Sequence, residues 1–182
     1  MTRYISLIRA INVGGHAQVN KTELISIYEA LGFQGVKTYL QSGNVIFDAA
    51  EGEKEGLINS IQESLARKTG ASPSVLLRTP DEMKRVIENN PFTKTAGTDT
   101  GKLYVTFLSK TPEIALLKKA AAIHDESDRF VIHGEEIYIY CENGYGRSRF
   151  SNNFFEKNLK VIATTRNWRT TTALLDIARS DG

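Results

Sequence analysis

The chain has 182 residues, 41% hydrophobic and 24% charged, with four prolines, which excludes disordered and collagen-like sequence. A single cysteine, Cys141, excludes an internal disulfide framework and a cysteine-rich zinc site, and a net charge of +2 does not by itself imply nucleic acid. No segment reaches the roughly 18 apolar residues that span a bilayer, and the N-terminus lacks the marks of a signal peptide, so a cytoplasmic location is expected.

The first strand is expected over 3–9, where β-branched, aromatic and apolar residues mix. A helix follows in KTELISIYEALG. Leu24, Ile27, Tyr28 and Leu31 share its face, Asn20 caps it with Glu23 three residues on, and Gly32 ends it. Strands over 36–41 and 44–49 flank Ser42-Gly43, a tight hairpin signal. Leu57, Ile58, Ile61 and Leu65 give one face to a helix from about 53 to 69. A strand over 74–78 and a helix opening at Thr79-Pro80 complete the first half.

The second half repeats this order. Strand 102–108 leads to helix 112–123. Strands 129–133 and 136–141 flank Gly134-Glu135, a second hairpin. A helix over 148–159 presents Phe150, Phe154 and Phe155, strand 161–166 follows, and a closing helix is capped by Asn167. Matching Gly43 to Gly134 brings the flanking helices into step, so an internal duplication is expected. Each βαββαβ half, with its added helix, predicts an α+β fold of two ferredoxin-like units with mainly antiparallel sheets. The expected divisions are 1–88 and 102–182, joined by a mobile linker over 89–101 that is poor in large apolar residues.

Three segments are candidate sites. In AINVGGHAQVNK, Gly14 and Gly15 permit backbone amides to face a ligand, and His16 and Lys21 add donors at a helix start. In ENGYGRSRF, Arg147 and Arg149 offer guanidinium forks beside an expected helix N-terminus, and Tyr145 offers a ring for stacking. In TTRNWRTT, Arg166, Asn167 and Arg169 surround Trp168, the only tryptophan. Residues 142–170 hold six basic side chains against two acids, which suits an anionic ligand or a nucleic-acid backbone. Each segment also has a plain structural explanation as turn, cap or core. Cys141, ending an apolar strand, is expected to be a buried, inert thiol. Neither a metal site nor a cofactor fingerprint is recognisable.

These strings resemble a known family. INVGG before a helix, then TYLQSGNVIF, NNPF, GYGRS and ATTRNWRT, in this order from residue 3 to about 178, are similar to the bacterial domain-of-unknown-function family 1697. The matching positions are Asn12, Gly14, Gly15, Gln41, Ser42, Gly43, Asn44, Asn90, Pro91, Phe92, Arg166, Asn167 and Trp168. The resemblance implies two ferredoxin-like halves and carries over no catalytic residue. It departs at Arg169-Thr170, where the family commonly has Asn-Thr.

Three functions follow from the residues. The first is binding of a phosphate-bearing small molecule or nucleic acid through the glycine- and arginine-rich segments. The second is an enzyme acting on a small anionic metabolite, with His16 or Glu142 as acid or base. The third is a protein–protein interaction module without catalysis.

Overall fold

The computed structural model describes residues 1–12, 18–40, 43–50 and 52–180. Six α-helices and two four-stranded antiparallel sheets make up a mixed α+β protein among these residues. The chain divides into two compact units, Met1–Lys84 with Leu174–Gly182, and Arg85–Ala173.

The first unit contains β1 (Thr2–Arg9), α1 (Lys21–Ala30), β2 (Gln34–Thr38), β3 (Asn44–Ala49), α2 (Lys54–Thr69) and β4 (Ser74–Arg78). Its sheet runs β2-β3-β1-β4. Asn20 and Glu23 form the expected capping box on α1. Tyr4, Ile8, Val45, Phe47, Val75 and Leu77 face Leu24, Tyr28, Ile61 and Leu65 of the two helices. Alternation along β1 sends Ile5 and Leu7 to the opposite face, where they too are buried. Arg3 holds Asp48 through two bonds of 2.8 Å and donates to the Ala178 carbonyl at 3.0 Å.

The hairpin between β2 and β3 differs from expectation. Strand pairing ends at Thr38 and Val45, and the Tyr39 amide donates to the Asn44 carbonyl at 3.0 Å. The connection is therefore longer than a two-residue turn. Leu40 (φ 58°) and Gly43 (φ 71°) both take left-handed conformations there, while Gln41 and Ser42 lie outside the described residues.

The second unit contains β5 (Leu103–Leu108), α4 (Ile114–Ala121), β6 (Arg129–His133), β7 (Glu136–Tyr140), α5 (Asn152–Leu159) and β8 (Ala163–Asn167). Its sheet runs β6-β7-β5-β8, the same relative order as the first. The registers agree as well. Ile5 pairs with Arg78 and Val105 with Arg166, while the Ile8 and Leu108 amides donate to Gly43 and Glu135. The architecture is thus consistent with two similar halves. Here the two-residue hairpin at Gly134-Glu135 forms as expected. Phe130, Phe150, Phe154 and Phe155 build an aromatic core under α4 and α5.

Two further helices, α3 (Pro80–Glu88) and α6 (Trp168–Arg179), each cross a unit boundary. In the second unit the Tyr138 hydroxyl donates to the Val86 carbonyl at 2.9 Å, which fixes the end of α3. Residues 89–102 carry two short 3₁₀ turns, Phe92–Lys94 and Thr100–Lys102. Phe92 lies near Tyr140 and Arg129, and Asn90 is fully buried.

Candidate functional site

The loop after β7 and the strand β8 meet through one hydroxyl. Beyond Cys141 the chain turns at Gly144 (φ 84°) into a single 3₁₀ turn, Tyr145–Arg147. The Tyr145 ring stacks on Tyr104 of β5 at 5.1 Å. Thr165 Oγ1 lies 3.0 Å from the Tyr145 hydroxyl, 2.7 Å from Thr106 Oγ1 and 2.7 Å from Asn152 Oδ1. A hydroxyl has one proton and two lone pairs. Asn152 Oδ1 only accepts, so Thr165 donates to it and both Tyr145 and Thr106 donate to Thr165. This three-way junction ties the loop to β5, β8 and α5. The sequence reading missed Thr106, Asn152 and Thr165. Their signal was weak, a hydroxyl residue inside each of two strands.

The basic side chains divide into two sets. Arg166 points to the other face of β8 from Thr165 and is 7% exposed. Its Nη1 donates to Thr164 Oγ1 at 2.8 Å and to the Thr165 carbonyl at 2.9 Å. Burial lowers its pKa to about 10, which still leaves it charged near neutrality. Arg78 occupies the matching place in the first sheet, is 6% exposed, and likewise donates to the preceding carbonyl, Leu77, at 3.0 Å. Arg147, Arg149, Lys157, Lys160 and Arg169 are instead exposed. Arg149 reaches the His124 carbonyl at 3.4 Å and lies over the rings of Phe150 and Phe154. Both acids of the stretch are engaged. Glu142 pairs with Lys102, which holds its carboxyl below the usual range, and Glu156 Oε1 accepts from the Ala163 amide at 3.0 Å.

The expected helix N-terminus beside Arg147 is elsewhere. α5 opens at Asn152, where the Ser151 side chain accepts from the Phe154 amide. Its first turn is therefore already capped. Asn167 Oδ1 accepts from the Thr170 amide at 2.7 Å and caps α6, whose first residue, Trp168, is half-buried. Cys141 is buried, and burial pushes its thiol up to about 11, so it is a poor nucleophile.

In the first unit, Lys21 is exposed and borders a depression of about 230 Å³ with Asn12, Gln18, Val19 and Asn20. Asn12 clamps both backbone groups of Val19, at 2.8 and 3.0 Å. Gly14, Gly15 and His16 lie outside the described residues. The motif asparagines share one task. Asn12 and Asn44 bond backbone across loops, Asn90 Oδ1 accepts from the Phe92 amide at 3.0 Å, and Asn167 caps a helix. Asn90 Nδ2 finds no acceptor among the described residues. Among the described residues no group of three or more His, Cys, Asp or Glu could hold a metal ion, and no helix is long and apolar enough to cross a membrane.

Comparison with known proteins adds the fold and the family. A solved structure of a conserved bacterial protein from Streptococcus pneumoniae is similar over 98% of this chain and 99% of its own, with a TM-score of 0.74 and 23% identity. At that identity the likeness concerns the fold alone. No curated protein matches. Residues 1–138 match the family described as "Protein of unknown function (DUF1697)". That match takes in both the Asn12 clamp and the Asn90 turn, and on it the chain belongs to the DUF1697 family.

Proposed function

We propose that the protein is a cytosolic, bacterial binding protein for phosphate-bearing ligands, with the backbone of a nucleic acid as the class that fits best. One observation carries this reading. Five exposed basic side chains fall within residues 142–170, while both acids of that stretch, Glu142 and Glu156, are occupied within the unit. Exposed charge of one sign attracts polyanions and releases their counterions. Arg147, Arg149, Lys157, Lys160 and Arg169 make these contacts. Tyr145, Arg166, Asn167 and Trp168 hold the scaffold on which they stand; exposed Lys21 is a second candidate anion contact, while Gly14, Gly15 and His16 lie outside the described residues.

The matched strand orders and registers support the view that the halves 1–88 and 102–182, joined by 89–101, are ferredoxin-like duplicates.

Fluorescence anisotropy with single-stranded RNA and duplex DNA over a salt series tests the function. Binding is expected to weaken steeply with salt. Arg147→Ala and Arg169→Ala are each expected to reduce the log–log salt slope by about 1. Absence of binding at low salt, or unchanged slopes in both variants, refutes the reading.

A further inference from the structure

Most asparagines of this fold are tied down. Asn12, Asn44 and Asn167 each hold a backbone group through the side-chain amide, and Asn152 Oδ1 accepts from Thr165. Asn90 is buried, and Pro91 after it has no backbone N–H. Asn143 differs on each count. It is exposed, its carboxamide has no hydrogen-bond partner among the described residues, and the residue after it is glycine. No other asparagine of the chain precedes a glycine.

The turn itself demands that glycine. Gly144 has φ 84° and ψ 151°, a region adopted essentially by glycine alone. Its carbonyl accepts from the Arg147 amide at 3.1 Å and so opens the 3₁₀ turn that carries Arg147. Its own amide donates to the Cys141 carbonyl at 3.3 Å, longer than an ordinary N–H···O bond, so little holds it. A Cβ placed on Gly144 would meet nothing within 4 Å, so the space beside this amide is open. A weakly held, unhindered backbone nitrogen thus directly follows an uncommitted carboxamide. Asn59 is exposed as well, but Ser60 after it carries a side chain and lies within α2, whose hydrogen bonds hold its amide.

We infer that Asn143 is a site of spontaneous covalent modification, in which the Gly144 amide displaces the Asn143 side-chain nitrogen and the loop gains a carboxylate. Hydroxide removes the Gly144 N–H proton. The nitrogen then bonds to Asn143 Cγ, the Cγ–Nδ2 bond breaks, and Nδ2 takes a proton from water and leaves as ammonia. A five-membered succinimide remains. Water adds to one of its two carbonyl carbons and opens the ring. Attack at Cγ gives aspartate. Attack at the main-chain carbonyl gives isoaspartate, with the chain routed through the side-chain carbon. Nothing is oxidised or reduced, and water is the sole co-reactant.

The consequence for ligands rests on the polyanion-binding reading. Glu142 is already neutralised by Lys102. The Asn143 side chain has no cationic partner among the described residues, so the new charge stands unopposed in the loop that leads to Arg147. It repels phosphate, and the protein loses affinity as it ages.

The test incubates the full chain at neutral and at alkaline pH and follows each asparagine by mass spectrometry after digestion in acid. Conversion of amide to acid is expected first in the fragment containing Asn143, faster at alkaline pH, and with both aspartate and isoaspartate as products. Asn143→Gln, which has to close a larger ring, is expected to stop conversion at this position without disturbing the exposed turn. Conversion at Asn59 as fast as at Asn143, aspartate without isoaspartate, or an intact Asn143 after a free peptide of sequence ENGYGR has been converted each overturns the inference. None of these readouts uses nucleic acid, so the site is judged apart from the binding reading. Anisotropy with single-stranded RNA then tests the consequence. Asn143→Asp is expected to bind about twofold more weakly than the unmodified chain at low salt, with the gap closing at high salt. Equal affinity at low salt overturns the link between this site and the anion surface.

Discussion

Gly43 offers a clean test of how packing and backbone strain combine. At φ 71° a non-glycine residue meets the left-handed penalty, about 1–2 kcal/mol, partly offset by reduced freedom of the unfolded chain. Gly70 ends α2 with φ 67° and carries the same penalty. Their surroundings differ. A Cβ on Gly70 meets nothing within 4 Å, whereas one on Gly43 falls 2.5 Å from Ile11 Cγ2 and 2.9 Å from Ile8 Cβ. Ile8 Cβ sits directly on the backbone of β1 and cannot swing aside. Overpacking of this kind costs about 1–3 kcal/mol more. Gly70→Ala is thus expected to destabilise by about 1 kcal/mol, and Gly43→Ala by about 2–4 kcal/mol. Both positions lie in the first unit, so urea unfolding followed by the same probe compares them directly. Equal losses for the two variants would refute the argument that contact with Ile8 and Ile11 requires glycine at position 43.

Further outcomes follow from other contacts. Tyr28 is fully buried with its hydroxyl 2.7 Å from Ser6 Oγ, so Tyr28→Phe and Ser6→Ala are each expected to cost about 1–3 kcal/mol; the double variant should cost less than their sum in a double-mutant cycle. Arg166→Ala is expected to lower the unfolding midpoint while leaving the salt slope of nucleic-acid binding unchanged, the reverse of Arg147→Ala. The hydrogen bonds from Arg3 hold the Asp48 carboxyl below its ordinary 3.8, so its stabilisation is present above that pH and lost as pH falls through the lowered value. Asp48→Asn should therefore reduce stability at pH 7 and flatten the acid limb of the stability–pH curve. Cys141 is expected to react with a thiol reagent far more slowly in native buffer than in denaturant, as read by absorbance.

Local signals carried most of the element order. Asn20 with Glu23, Gly134-Glu135 and Asn167 each act through neighbours a few residues away, and each does what its type predicts. The errors lie where a distant contact or a competing residue decides. Leu40 takes a left-handed conformation that its side chain does not advertise, and this lengthens the first hairpin. Phe150 follows the periodicity of Phe154 and Phe155, yet Ser151 captures the cap and leaves Phe150 outside α5. The site was less legible than the fold. Arg166 reads as surface because it sits among threonines, but the second face of its strand is buried, as is that of Arg78. Tyr145 looks free in its glycine loop, and only Tyr104, far back in the chain, shows that its ring is in use.

The shared helices set an order for synthesis. The first unit begins with Thr2–Arg9 but also requires Leu174 and the residues after it, while the second is complete at Ala173. Arg3 makes this concrete, because its partner Ala178 stands 175 residues later. A ribosome releasing the chain from its N-terminus therefore delivers every residue of the second unit before the last of the first. The half that starts earliest must stay incomplete longest, with Arg3 awaiting its acceptor on Ala178.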